Sequence, residues 1–330
     1  MCILCGMLLL SVHRVCISCR HAMVSITTLA DWRLSDEDFL KAFEIFGTGE
    51  KFSALRHRNT LAREDRIIFH DGPHVYEVDG VRVPRSVTSL VHSYCPAQFD
   101  PEQALLSMNA TRRSQFINKL DGSVMSNAEV LAFWDTNGKV ARARGTLLHY
   151  HAEAYCNDVP VEHPHSPEFK MVMCLIDTLQ DMGFKPYRTE ACLIHIGLCC
   201  AGQIDALFID DNGGLALVDW KRSVVTFDKC YRSLLPPLEH IPDCNGYIYM
   251  LQLGLYKYIC ESEYGMKIDT LFLGVVHPSQ NMPRLVRMPD VREEIELIVE
   301  DQLSKGLAVS AAKPGATAPL QIPVVYDEHT

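Results

Sequence analysis

Residues 201–222 constrain the chain more than any other stretch. Ala201-Gly-Gln-Ile-Asp205-Ala-Leu-Phe-Ile209 and Leu215-Ala-Leu-Val-Asp219-Trp220-Lys221-Arg222 are mostly apolar, and Asp210-Asp-Asn-Gly-Gly214 separates them. Apolar runs of this length around a turn cluster read as two paired strands. Side chains alternate across a strand, so Asp219 and Lys221 share one face. The turn decides where Asp205 points. A five-residue loop over 210–214 pairs Ile209 with Leu215 and sets Asp205 against Asp219; a three-residue loop over 211–213 keeps that register. A two-residue Asn212-Gly213 turn would slip the register by one and send Asp205 to the other face. The odd-length loop is preferred, because it gathers two carboxylates and one ammonium on an otherwise apolar sheet.

Such a cluster needs a cause. Two like charges held together are costly unless a cation lies between them. Hard oxygen ligands select Mg²⁺ or Mn²⁺, which acidifies a bound water and polarises a phosphoryl oxygen. Lys221 would orient or deprotonate that water and offset developing charge. The plainer alternative is a structural salt bridge on a half-exposed sheet face.

The rest of the chain supplies candidate partners. Gly145-Thr146-Leu-Leu-His149-Tyr-His-Ala-Glu153 has a helical pattern in which His149 and Glu153 share a face, so His149 is a candidate nitrogen ligand and His151 points to the surface. Lys139, Arg142 and Arg144 precede this motif and are candidates for holding phosphates, or form a solvated helix face. Gln252 and Tyr256, again four apart, sit in the helix after the hairpin and can bond a nucleic-acid backbone or brace the site. Glu190 opens the strand before the hairpin and reaches a metal through water, or caps the sheet edge.

The helical pattern at 35–46 is followed by a basic loop over 51–66 and an Asp79-Gly80 hairpin between 74 and 83. Helical patterns cover 86–89 onward, 101–120 and 126–156, with a break near Asn137-Gly138. A helix from Ser166 to Gly183 precedes strands at about 188–197, 201–209 and 215–223. Then come a Pro-rich loop, a helix at about 243–265, strands at about 268–276 and 284–288, and a helix from about Asp290. The tail over 306–330 is expected to be mobile.

Bulk properties set limits. With 330 residues and 48% apolar content a sizeable core can form. A net charge of −10 excludes a generally basic nucleic-acid surface, so any nucleic-acid contact must use a local groove. No run of about 18 apolar residues predicts a membrane span. The 13 cysteines read as reduced thiols of an intracellular protein. Residues 1–34 form a leader. Its first 30 residues contain no acid, which suits a mitochondrial transit peptide and a matrix location. Cys2, Cys5, Cys16 and Cys19 have zinc-knuckle spacing, and an artefact of gene-start choice is the third reading.

In this order, Gly145-Thr146 with His149 and Glu153, Glu190, Gly202-Gln-Ile-Asp205, Asp219-Trp-Lys221 and Gln252 with Tyr256 resemble the RecB-type branch of the PD-(D/E)XK nuclease superfamily. The segments ending Val83-Pro-Arg-Ser-Val-Thr88 and spanning Trp134 to Thr146 are also similar to mitochondrial genome maintenance exonucleases and related phage and viral enzymes. The resemblance covers roughly residues 70–275. It implies an α/β restriction-endonuclease-like core over 35–305, a central mixed sheet flanked by helices, with an N-terminal helical elaboration that arches over the site at about 86–140. It implies that His149, Asp205 and Asp219 bind Mg²⁺ or Mn²⁺ through their side chains and Trp220 through its carbonyl, with Lys221 as the catalytic lysine. The expected activity is a DNA exonuclease on single-stranded ends, acting as a monomer. The alternatives are a structure-specific endonuclease and a catalytically silent binding module. Relatives with an iron–sulfur cluster carry three clustered cysteines after the Gln-x3-Tyr helix; only Cys260 stands there, so no cluster is expected.

Overall fold

The hairpin forms with the odd-length turn. Ile209 pairs with Leu215 and Ala206 with Val218, and Asp210 N–H donates to the Gly214 carbonyl at 2.9 Å. The computed structural model describes residues 35–46, 54–70, 73–96, 99–159, 166–228, 230, 232–305 and 324–326. The expected leader, its transit-peptide or zinc readings and most of the tail lie outside these residues.

The described chain opens with α1 (Asp36–Phe46) and α2 (Ala54–His57). A small antiparallel sheet follows, of β1 (Ile67–His70), β2 (Val75–Val78) and β3 (Val81–Arg82). Its Asp79-Gly80 turn has φ of 52° and 78°, the left-handed pair that an Asp-Gly hairpin uses. β4 (Arg85–Ser86) runs into α3 (Val87–His92), where Ser86 and Ser89 form a reciprocal cap. Next come α4 (Pro101–Leu106), α5 (Ala110–Arg113), the long α6 (Asn127–Cys156) and α7 (Pro167–Asp181). The core strands are β5 (Lys185–His195), β6 (Cys200–Ile209) and β7 (Leu215–Arg222), then α8 (Asn245–Tyr264), β8 (Ile268–Val276), β9 (Arg284–Met288), α9 (Arg292–Ser304) and β10 (Val324–Tyr326).

The main sheet has the order β10-β9-β8-β7-β6-β4, with β5 on the remaining edge of β6. β7–β8 and β4–β6 are parallel and the other pairs antiparallel, so the sheet is mixed. The parallel step from β7 to β8 needs a crossover, and α8 supplies it. Leu148, Ala152, Phe169, Val172 and Ile176 of α6 and α7 bury one face against Phe208, Val218 and Trp220. Leu90, Leu251, Leu255 and Ile295 of α3, α8 and α9 bury the other against Leu207, Leu217 and Leu273. This is the helix-flanked α/β sheet expected from the sequence.

One irregularity positions the site. β5 pairs with β6 along its whole length. On the opposite edge, β7 takes only Ala206–Ile209 and β4 only Cys200 and Ala201. Residues 202–205 lie between, where β6 and β7 part into a fork.

Several expectations are corrected. α6 runs unbroken through Asn137-Gly138, because the Ser126–Glu129 capping box starts it well and one interior glycine costs only about 1 kcal/mol. The single helix expected over 101–120 is two short helices followed by an Ile117–Val124 bridge. The loop expected over 51–66 contains α2 and a 3₁₀ turn at Glu64–Arg66, and β1 was not foreseen. His151 is buried rather than on the surface, its ring 4.4 Å from Phe169. Not every cysteine is reduced: Cys230 and Cys244, with Cα atoms 5.4 Å apart, are disulfide-bonded. Within the expected mobile tail, Val324–Tyr326 pairs with β9. Among the described residues, no helix is long and apolar enough to cross a membrane.

Candidate metal centre

The fork brings charged groups together from four elements. Asp205 is the last β6 residue before pairing with β7 begins. Its Oδ2 accepts the Trp220 backbone N–H at 2.7 Å, so the carboxylate closes the opening that the departing strand leaves. Both backbone polar groups of one strand residue face the same edge, so the Trp220 carbonyl also opens into the fork. His149 comes from α6, and its Nδ1 lies 3.3 Å from Asp205 Oδ1. Glu190 lies in the interior of β5, not at its opening. Its neighbours pair with Ile204 and Ala206, so it stands opposite Asp205. Its φ of 51° is a left-handed conformation that costs a non-glycine residue about 1–3 kcal/mol. Ligand atoms of His149, Glu190 and Asp205 all lie within 4.8 Å of one another. One nitrogen and carboxylate oxygens at that spacing suit a single divalent cation.

Asp219 and Lys221 stand beside this triad. Lys221 Nζ is 2.6 Å from Asp219 Oδ2, and Gln252 Nε2 donates to Asp219 Oδ1 at 3.2 Å. Tyr249 adds an aromatic face, its ring centroid 5.2 Å from Lys221 Nζ.

The electrostatics follow from burial and proximity. Burial pushes the Asp219 carboxyl up, and Asp205 beside it adds to the rise, against the Lys221 ammonium; the result is about 6. Burial would lower the His149 imidazole, but the Asp205 carboxylate outweighs it and raises the group to about 9. Asp205 is held below its ordinary value: burial opposes ionisation, but His149, Lys221 and the Trp220 N–H favour it more. Burial likewise opposes the Lys221 charge, and the two aspartates overcome it. The fork is thus an acidic pocket in which protons and an ammonium offset buried negative charge. A divalent cation would fill the same role, so the donor set fits one.

The remaining expected residues fall into three groups. Gln252 and Tyr256 are buried, and both brace the fork from α8. The Tyr256 ring lies against Gly202, where a Cβ would come within 2.6 Å of it. Glu153 turns from the triad to β5 and accepts from Thr189 Oγ1 at 3.2 Å, one residue from Glu190. Of the basic residues, Lys139 pairs with Asp135 at 2.7 Å on the exposed side of α6, Arg142 is exposed, and Arg144 stacks 4.2 Å from the Phe39 ring centroid. Tyr249 escaped sequence reasoning, although its position three residues before Gln252 on one helix was a usable signal. Arg222, which pairs with Glu168 of α7 at 2.8 Å, carried no signal.

No family model and no curated protein matches the sequence. Two of the solved structures that match share slight similarity with it. One is a candidate exonuclease from Eubacterium rectale, 14% identical with a TM-score of 0.31, covering 49% of this chain and 65% of that one. The chain therefore spans just under two thirds of that protein. The other, named SSO0001, is 18% identical with a TM-score of 0.21, over 48% of this chain and 70% of that one. Likenesses this slight bear on neither fold nor function.

Proposed function

We propose that the chain is a metal-dependent nuclease that hydrolyses phosphodiester bonds, and that it works as an exonuclease on single-stranded DNA ends. The observation that carries this reading is the convergence of His149, Glu190 and Asp205 on one point, with the Asp219–Lys221 pair beside it in the strand fork. The resemblance to RecB-type nucleases supports it.

His149, Asp205 and Asp219, with the Trp220 carbonyl and Glu190, would hold Mg²⁺ or Mn²⁺, which supplies an acidified water and a counter-charge for the phosphoryl oxygens. Asp205 orients His149 and fixes the Trp220 backbone at once. Lys221, kept as an ammonium by the two aspartates, would orient the attacking water and offset charge on the phosphate as the bond breaks. Gln252 holds Asp219 in place, and Tyr256 keeps α8 seated on β6. Arg142, exposed two helical turns before His149, would carry the incoming phosphates.

End-labelled linear single-stranded DNA and a single-stranded circle, each with Mn²⁺ or EDTA, test the proposal. With Mn²⁺ the linear strand should be degraded and the circle spared, and EDTA should stop the degradation. Cutting of the circle would assign an endonuclease to the same fork, and tight binding without any cutting would leave a silent module.

A further inference from the structure

A disulfide joins the two elements that meet over the fork. β7 ends at Arg222, directly after Lys221, and α8 starts at Asn245, directly after Cys244. The chain between them makes a strap, and Cys230 in the strap is bonded to Cys244, 14 residues on. The near end of the strap lies along the start of α8. Asn245 Oδ1 accepts the Thr226 N–H at 3.0 Å, and Asn245 Nδ2 donates to the Val224 carbonyl at 2.8 Å. The Phe227 ring fills the space beside Gly246, where a Cβ would come within 2.5 Å of it. About one helical turn further along α8, the Tyr249 ring centroid is 5.2 Å from Lys221 Nζ.

A purely structural staple holds chain that nothing else holds. Most of this strap is held already, because Val225, Leu234, Leu238 and Ile241 are buried in the core. The disulfide fixes the span between those anchors, which seats Thr226 and the half-buried Phe227 against the first turn of α8. Opening the bond therefore loosens this junction and leaves the core intact. The two sulfurs also differ in the way that exchange requires. Cys230 is half-buried and Cys244 is buried. An entering thiolate reaches Cys230 first, and the displaced Cys244 stands where a helix N-terminus stabilises a thiolate.

We propose that the Cys230–Cys244 bond is a reversible redox site through which small thiols of the glutathione class regulate the fork. Closed, the bond seats the start of α8 against the end of β7 and so keeps Tyr249 over Lys221. Open, it lets that seating slacken. In the opening step a glutathione thiolate attacks Cys230 Sγ, the S–S bond breaks and its electron pair leaves on Cys244 Sγ. A second glutathione thiolate attacks the glutathione sulfur of the mixed disulfide and frees Cys230. The two glutathione molecules give up two protons and two electrons and end as glutathione disulfide, and the protein gains both as two thiols. Glutathione disulfide drives the reverse. The regulation rests on the nuclease reading of the fork.

The test uses the full chain in mixtures of reduced and oxidised glutathione. Differential alkylation read by mass spectrometry gives the fraction of Cys230–Cys244 disulfide. Hydrogen exchange gives the opening of residues 245–249, and Mn²⁺-dependent cleavage of linear single-stranded DNA gives the rate. Full reduction should slow cleavage at saturating substrate about tenfold, the scale expected when a reacting group is slightly misplaced. Exchange over 245–249 should quicken in the same mixtures, and reoxidation should reverse both. Cys230→Ser, with unchanged circular dichroism, should keep the slow rate in every mixture. Cys199→Ser, which removes an exposed thiol, should respond as the wild type does. A bond that resists reduction in the folded chain, or reduction that leaves the rate or the exchange unchanged, would overturn the proposal. A response that persists in Cys230→Ser or vanishes in Cys199→Ser would do the same. Cleavage that is equal in all mixtures overturns the redox site and spares the nuclease reading. Cleavage in none overturns the nuclease reading, and exchange over 245–249 then decides whether the bond still controls α8.

Discussion

Removing the Lys221 ammonium should affect chemistry more than folding, because its Nζ lies 2.6 Å from Asp219 Oδ2 at the edge of the fork rather than in an apolar layer. Lys221→Ala should lower the cleavage rate at saturating Mn²⁺ by about 100-fold or more. The melting temperature should stay near that of the wild type, and a variant with full activity would remove Lys221 from the mechanism. His151 makes a prediction about stability. Burial lowers its pKa from 6.5 to about 4, and its Nδ1 has no hydrogen-bond partner. The unfolded chain therefore binds more protons between those two values, and stability should fall as pH drops from about 6.5 towards 4. The loss should reach about 3 kcal/mol. Urea midpoints measured from pH 7 to 4.5 should show this slope, and His151→Phe should flatten it. The shared placement of Asp205, Asp219 and Lys221 was legible in the sequence because period-two alternation is a local property. The burial of His151 was not. Two residues along a helix turn its side chain away from that of His149, and only tertiary packing shows that Phe169 covers that side.

At the scale of elements, the register of β6 against β7 was also legible, since the parity of one loop decides it. Where the pairing stops was not. The fork depends on β4 and β7 dividing one edge of β6 while β5 holds the other, and the left-handed φ of Glu190 leaves no trace in its neighbours. The contact between β7 and β8 offers a test. A Cβ on Gly274 would lie 2.4 Å from Trp220 Cε3, the ring that anchors β7 in the core. Gly274→Ala should destabilise the protein by about 1–3 kcal/mol. It should also slow cleavage, because Asp219 and Lys221 flank Trp220 on the displaced strand. Guanidinium titration gives the first effect and turnover at saturating substrate the second. A variant as stable as the wild type would show that the strands yield more easily than this packing implies.

For the whole molecule, the layered α/β architecture followed from the sequence because long periodic segments dominate it. The helical elaboration was harder to read. Its α4 and α5 are short, and their apolar residues cover a concavity rather than a continuous core. The charge balance of the fork couples binding to folding. If a divalent cation replaces protons and Lys221 as the counter-charge, it binds only the folded chain. At about 100 times its dissociation constant it should add about 2.7 kcal/mol to stability. A thermal melt with Mn²⁺ against EDTA should show the rise at pH 7.5, and Asp205→Asn should abolish it.

Cleavage of a 5′-labelled single-stranded oligonucleotide by the wild type and by Asp205→Asn, each with Mn²⁺ and with EDTA, tests the central claim most directly. The fork predicts cleavage by the wild type with Mn²⁺ alone and none by the variant under either condition. Cleavage that persists in EDTA, or wild-type cleavage by Asp205→Asn, would contradict it.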